Sequence, residues 1–193
     1  MEYDKDKKEI NLNKELSKLD KLVIKFIDII KKHVDYVIIS GYVSILLGRS
    51  RATEDVDLFI EKITFEKFLE VYEDLKYNGF WCLNAEKPEE VYNFLKDNMA
   101  IRFALEGKSI PNFEVKFPKR AIDQETFSDF IMVNLLKNKI KISSLERQIA
   151  FKRYYLKSEK DMEDALHVEE LFKDKIDYDK INKFKEIVEN INN

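Results

Sequence analysis

One cysteine, Cys82, is all the chain holds, so an intramolecular disulfide is excluded and the composition suits a reducing compartment. Glycine and proline are scarce as well, four and three in 193 residues, which argues against linkers and low-complexity segments. There is no long apolar run. The longest, residues 22–30, is interrupted by Lys25 and Asp28 and falls short of the roughly 20 residues a membrane helix needs. Met1 to Glu9 is charged and has no apolar signal core. Together these absences predict a cytoplasmic protein with no membrane partner. Charge of one sign is also missing: 34 basic and 37 acidic residues leave −3, so any contact with nucleic acid must be local. The two histidines, His33 and His167, stand apart with no cysteine beside them and read as structural, not as zinc ligands.

What is abundant is core material. Apolar residues make up 45% of the chain, with fourteen Phe and nine Tyr, enough for one well-buried domain or a core with a helical extension. Neither an internal repeat nor a composition shift marks a boundary. Leu12, Leu16, Leu19, Val23, Phe26, Ile27 and Ile30 recur at helical spacing and predict a helix over 12–32. Residues 36–39 form a short buried strand, 43–47 a helix, 55–60 a strand, and Phe65 to Tyr77 a helix closed by Gly79. Strands follow over 79–83, 99–105 and 113–117, then a hairpin of 130–136 with 139–142. From Ser143 onward the pattern is helical: Ser143 as N-cap with Glu146 reaching back, a helix to residue 157, and a second over 159–173 opened by Ser158. A last helix with Ile181, Phe184, Ile187, Val188 and Ile191 on one face should pack on the domain or on a second subunit, making a homo-oligomer.

The densest chemistry lies in residues 40–60. Ser40-Gly41 is a small-residue turn between a strand and a helix, where backbone N–H groups suit an anion. Arg51 and Thr53 follow, then Asp55-Val56-Asp57 at the head of the apolar run Leu58-Phe59-Ile60. Alternation along a strand puts Asp55 and Asp57 on one face, and paired carboxylates completed by water and phosphate are how proteins commonly hold Mg²⁺. An EF-hand is excluded: counting from Asp55, its glycine position is Ile60. In residues 113–117 the same alternation sets Phe113, Val115 and Phe117 on one side and Glu114 and Lys116 on the other, making Glu114 a candidate third carboxylate. Asp161 and Asp164 lie three apart beside an apolar stripe, and Lys152 on the preceding helix is a candidate partner for them.

The Ser40-Gly41 turn, the following helix and the Asp-x-Asp strand resemble the polymerase-β-type nucleotidyltransferase superfamily. Arg51-Ala52-Thr53-Glu54-Asp55-Val56-Asp57 is similar to the variant found in abortive-infection-type toxins, with Lys152 and Asp161 matching their later motif. Ser40 departs from the family glycine, and serine enters positive φ less easily. The resemblance implies an α/β nucleotidyltransferase fold: a small mixed sheet flanked by helices over 1–142, and a C-terminal helical portion over 143–193 packed on it. It implies transfer of a nucleotidyl group from an NTP to an acceptor: tRNA, a protein or a small molecule. Asp55, Asp57 and Glu114 would be the catalytic, metal-holding carboxylates for Mg²⁺ or Mn²⁺. Ser40, Gly41, Arg51, Thr53, Lys152 and Asp161 would serve the nucleotide phosphates. The alternative is a related module that has lost chemistry and serves as a nucleotide binder or toxin–antitoxin partner.

Overall fold

Polar–apolar alternation in the central strands decides which side of the sheet becomes core and which stays open. The computed structural model describes residues 1–191, so Asn192, Asn193 and the side chain of Ile191 lie outside the described residues. In chain order the elements are β1 (Glu2–Asp4), β2 (Glu9–Leu12), α1 (Lys18–Ile30), β3 (Tyr36–Ile38), α2 (Gly41–Leu46), β4 (Asp55–Ile60), α3 (Phe65–Tyr77), β5 (Phe80–Cys82), α4 (Pro88–Lys96), β6 (Ile101–Leu105) and β7 (Asn112–Lys116). They continue with α5 (Ala121–Gln124), a 3-10 turn, β8 (Phe130–Leu135), β9 (Asn138–Ser143), α6 (Leu145–Ala150), a π-helical turn over Phe151–Leu156, α7 (Glu159–Phe172) and α8 (Tyr178–Ile191). The nine strands form one mixed sheet, ordered β1-β2-β8-β9-β3-β4-β7-β6-β5.

In β4, Val56, Leu58 and Ile60 are fully buried while Asp55, Asp57 and Phe59 take the other face. β7 runs parallel to β4 with Asp57 directly across from Glu114, and β6 runs antiparallel to β7 with Arg102 across from Glu114. On the core side, Phe26 of α1 stacks on Phe113 at 3.8 Å and meets Phe80 edge-on at 5.2 Å. Burial of these rings, each worth on the order of 1.5–3 kcal/mol, fixes α1 against the sheet.

Three expectations are corrected. Residues 12–17 are not helical: Leu12 ends β2, whose parallel pairing with β8 outcompetes the helical spacing, and α1 starts after Ser17, where Ser17 and Asp20 form a capping box. The cap of α6 is Ser144 and not Ser143, because Ser143 is still in the sheet opposite Phe130; Glu146 instead accepts the backbone N–H of Asp177 at the start of α8. The helix expected to reach residue 157 is α-helical only to Ala150 and then widens into the π-helical turn. Strands β1 and β2 and helix α4 are additional to the sequence reading. No helix among the described residues is long and apolar enough to cross a membrane.

Asp20 connects the fold to the turn at residue 40. Its carboxylate is buried, caps α1, and accepts the Tyr42 hydroxyl at 2.8 Å; Lys14 lies 3.0 Å away. Burial pushes the Asp20 carboxyl up, but Tyr42, Ser17 and Lys14 outweigh it and hold it below the usual range. Asp20→Ala removes the reciprocal half of the capping box and strands the Tyr42 hydroxyl, so it should cost about 2–4 kcal/mol in urea unfolding at neutral pH. A depressed folded pKa gives stability that is complete above the unfolded value and lost as pH falls through the folded one. The wild type should therefore lose more stability than the variant between about pH 5 and pH 3.

Candidate active site

Four residues before the carboxylate strand, the chain anchors itself to the C-terminal helices through charge. Asp164, on α7, is completely buried. Arg51 Nη1 donates to its Oδ2 at 2.8 Å, and Lys152 Nζ donates to the same oxygen at 2.8 Å. Arg49 Nε lies 2.9 Å from Oδ1 but is misaligned for a hydrogen bond, so that contact is Coulombic attraction alone. Lys152, itself only 1% exposed, also donates to Asp161 Oδ1 at 3.0 Å, and Arg49 donates to Glu163. Burial pushes Asp161 up, but Ser158 and Lys152 outweigh it and hold its carboxyl below the usual range. Ser158 caps α7, as its sequence pattern implies.

This cluster explains Gly41. A Cβ there would sit 2.4 Å from Arg51 Nη2, so the guanidinium lies against the bare backbone of the turn. Arg51 is pinned by Asp164 and has little room to yield. The preceding residue, Ser40, holds φ 63° and ψ −138°, a conformation usual for glycine and costing other residues on the order of 1–3 kcal/mol. Thus the turn keeps the glycine-like backbone at Ser40 while its true glycine makes room for Arg51. Ser40 makes no side-chain cap for α2.

The open face of the sheet carries a second charged strip. Lys116 Nζ lies 2.9 Å from Asp57 Oδ1 and 2.5 Å from Glu114 Oε1, and Arg102 Nη2 lies 2.5 Å from Glu114 Oε2. Thr53 Oγ1 donates to the backbone carbonyl of Asp55 at 2.9 Å and lies 3.3 Å from its carboxylate, setting that carboxylate's orientation. Burial pushes the Asp57 carboxyl up, offset in part by Lys116 and reinforced by the charges of Glu114 and Asp55. Glu114 behaves oppositely: burial pushes it up, but Lys116 and Arg102 prevail and hold it low. Burial works against the Lys116 ammonium, yet Asp57 and Glu114 keep it above the ordinary lysine value.

Between the open sheet face and the C-terminal helices lies a cleft of about 520 Å³. Of the residues singled out by sequence, Ser40, Asp57 and Lys152 line it. Gly41, Arg51, Thr53 and Asp161 do not line it: Asp161 bonds Lys152, Arg51 lies against Gly41 next to Ser40, and Thr53 bonds Asp55. Asp55 and Glu114 flank Asp57 on the sheet. Sequence reading did not assign the far wall, where Arg120 packs on Tyr155 at 4.8 Å and on Phe151 at 5.6 Å, beside Gln148 and Arg147. Arg120 is held by Asp123, and Arg147 by the Ile122 carbonyl. Lys116 was legible as sharing a face with Glu114; its reach to Asp57 needed the β4–β7 pairing. His33 meets Asp74 at 2.9 Å and His167 meets the Leu47 carbonyl at 3.2 Å, both remote from this lining.

No family model and no curated protein matches the sequence. Solved structures do. An antigenic nucleotidyltransferase-like protein from Paracoccidioides brasiliensis aligns at 20% identity over 78% of this chain and 75% of its own, with a TM-score of 0.50. The antibiotic-resistance factor ANT(2'')-Ia aligns at 13% identity over 87% of this chain and 91% of its own, with a TM-score of 0.54. The chain has the nucleotidyltransferase fold. At these identities the likeness speaks for the fold, and the chemistry rests on the side chains. Within this nucleotidyltransferase fold the Asp164 cluster is the link between the Arg49–Thr53 loop and the helices across the cleft.

Two tests address that link. Asp164→Ala leaves Arg49, Arg51 and Lys152 without their shared anion and should cost about 3–5 kcal/mol in chemical denaturation. Gly41→Ala should also destabilise, because the methyl displaces Arg51. In an Arg51→Ala background that penalty should largely vanish, so a double-mutant cycle should show strong coupling. Additive costs would mean that Gly41 is needed for some other reason.

Proposed function

We propose that the chain is a nucleotidyltransferase, moving a nucleotidyl group from an NTP to an acceptor, with Mg²⁺ or Mn²⁺ as the metal. The observation that carries this reading is that Asp57 lines the same cleft as the glycine-like turn at Ser40 and the Lys152 side chain. Asp55 and Asp57 share one face of β4 and offer hard carboxylate oxygens, which suits one divalent ion. A second ion between Asp57 and Glu114 does not fit the arrangement, since Lys116 already bridges those two oxygens. Among the described residues no three His, Cys, Asp or Glu side chains are grouped to enclose a metal.

When bound to Asp55 and Asp57, such an ion would supply Lewis-acid polarisation of phosphoryl oxygens. The chain's own residues account for the rest. Ser40 and Lys152 border the cleft where the triphosphate would lie; Gly41 with Arg51 would hold the Ser40 turn, Asp161 the Lys152 ammonium, and Thr53 the Asp55 carboxylate. The acceptor oxygen attacks the α-phosphorus, the bond to the β-phosphate oxygen breaks, and pyrophosphate leaves. Glu114, held low by two cations, is a poor base for the acceptor proton. Which acceptor is used, an RNA such as tRNA, a protein hydroxyl or a small molecule, would be read from what a labelled NTP marks in whole-cell RNA and protein. A toxin-type role rests on the Arg51-to-Asp57 and Lys152/Asp161 motifs.

A second reading is favoured by one observation: the carboxylates of Asp57 and Glu114 are already paired with Lys116 and Arg102, as in a domain that has lost chemistry and only binds nucleotide or an antitoxin partner. Calorimetry with each NTP, with and without Mg²⁺, separates these readings when paired with the labelling assay. Metal-dependent binding together with labelling supports the enzyme; binding without labelling supports the binding module. Asp57→Asn should abolish labelling. Because the folded pKa of Asp57 is raised, its ionised form is disfavoured on folding, and its thermal midpoint should stay equal or rise slightly. A lower midpoint would mark Asp57 as a structural partner of Lys116.

A further inference from the structure

We propose that Lys116 supplies, as a built-in ammonium, the positive charge of one of the two cations that such a carboxylate set would otherwise gather, so that the chain takes a single divalent ion with its nucleotide. The inference deepens the nucleotidyl-transfer reading and rests on it. Three observations carry it. Lys116 Nζ is within 3 Å of an oxygen from each of two carboxylates, 2.9 Å to Asp57 and 2.5 Å to Glu114, a bridging position and not a one-sided surface pair. The other oxygen of Glu114 is taken by Arg102 at 2.5 Å, so Glu114 has both oxygens committed to cations of the chain. Asp55, by contrast, receives only the Thr53 hydroxyl and, among the described residues, pairs with no cation.

The charge balance points the same way. Asp55, Asp57 and Glu114 bring three negative charges, and Lys116 and Arg102 return two positive ones. One negative charge is left over, concentrated at the Asp55 end of the strip. A second dication beside Glu114 would have to displace an ammonium that rises from the last residue of β7, across the register from Phe59. Like charges confined within a few ångströms repel strongly where water is scarce. An ammonium attracts the electrons of a developing oxyanion but coordinates no water, so it lends charge without generating a hydroxide.

The test counts bound Mn²⁺ by electron paramagnetic resonance, using wild type and Lys116→Met at saturating α,β-methylene ATP or whichever of the four non-hydrolysable analogues binds. The expected result is one Mn²⁺ per wild-type chain, and two per Lys116→Met chain with the broadened spectrum of a spin-coupled pair about 3.5–4 Å apart. Lys116→Gln, which is shorter and polar, is run beside it so that a misfolded Met variant does not decide the matter. Two ions in the wild type would overturn the proposal while leaving nucleotidyl transfer standing. One ion in the wild type and in both folded variants would also overturn it, since Lys116 would then not be what excludes the second. No nucleotide-dependent Mn²⁺ in any of the three would overturn the enzyme reading, and this inference with it.

Discussion

A single fully buried carboxylate, Asp164, is the constraint on which the cleft depends. It gathers Arg49 and Arg51 from the loop before β4 and Lys152 from the π-helical turn, so three segments distant in sequence are held at one point. The net energy of such a cluster is modest, because taking charges out of water costs nearly as much as their attraction returns. Its value lies in specificity. An alternative packing that separates any of these groups leaves a charge buried without a partner, and that penalty is large.

Two ion networks thus face one another across the cleft, and they differ in what can reach them. Lys152 is sealed, at 1% exposure, behind Asp161 and Asp164, whereas the Lys116 side chain keeps 32% of its surface open. A ligand entering the cleft therefore competes readily for Lys116 and its carboxylates but meets Lys152 only at the boundary of its cluster. Electrostatic preorganisation of this kind places charge before any ligand arrives, so little rearrangement is left for binding. The aromatic wall works with it: the Arg120 guanidinium lies over the rings of Tyr155 and Phe151, a favourable place for a cation.

Much of this was legible in the sequence wherever the signal was local. The alternation in residues 55–60 gave the carboxylate face, the spacing in Phe65 to Tyr77 gave α3 to the residue, and Ser158 gave the cap of α7. What stayed hidden was non-local. Leu12, Leu16 and Leu19 satisfy a helical period, yet Leu12 pairs with Leu135 across more than a hundred residues, and no local pattern announces a parallel partner. Ser143 and Ser144 are equally good caps by composition, and the hydrogen bonding of β9 to β8 decides between them. Lys152 was legible as a partner for Asp161 and Asp164 and bonds both, but that Asp164 also collects the two arginines was not. That convergence depends on tertiary geometry, because Arg49 and Asp164 are separated by most of the chain.

The turn at residues 40 and 41 shows how the two levels interlock. Sequence comparison with the nucleotidyltransferase pattern makes Ser40 look like the weak position, since a glycine is usual there. The backbone does adopt a glycine-like conformation at Ser40, and it is the residue after it that cannot change, because Arg51 occupies the space of its side chain. Tyr42 follows immediately and is held by Asp20 at the start of α1, so the turn is clamped on both sides. Strain at a residue persists when its surroundings over-determine it. Here the clamp consists of one buried hydroxyl-to-carboxylate bond upstream and one guanidinium pinned to Asp164 downstream. The guanidinium that holds the downstream side of the turn is thus anchored by the same buried carboxylate, and the strained serine lines the cleft that Asp57 also lines.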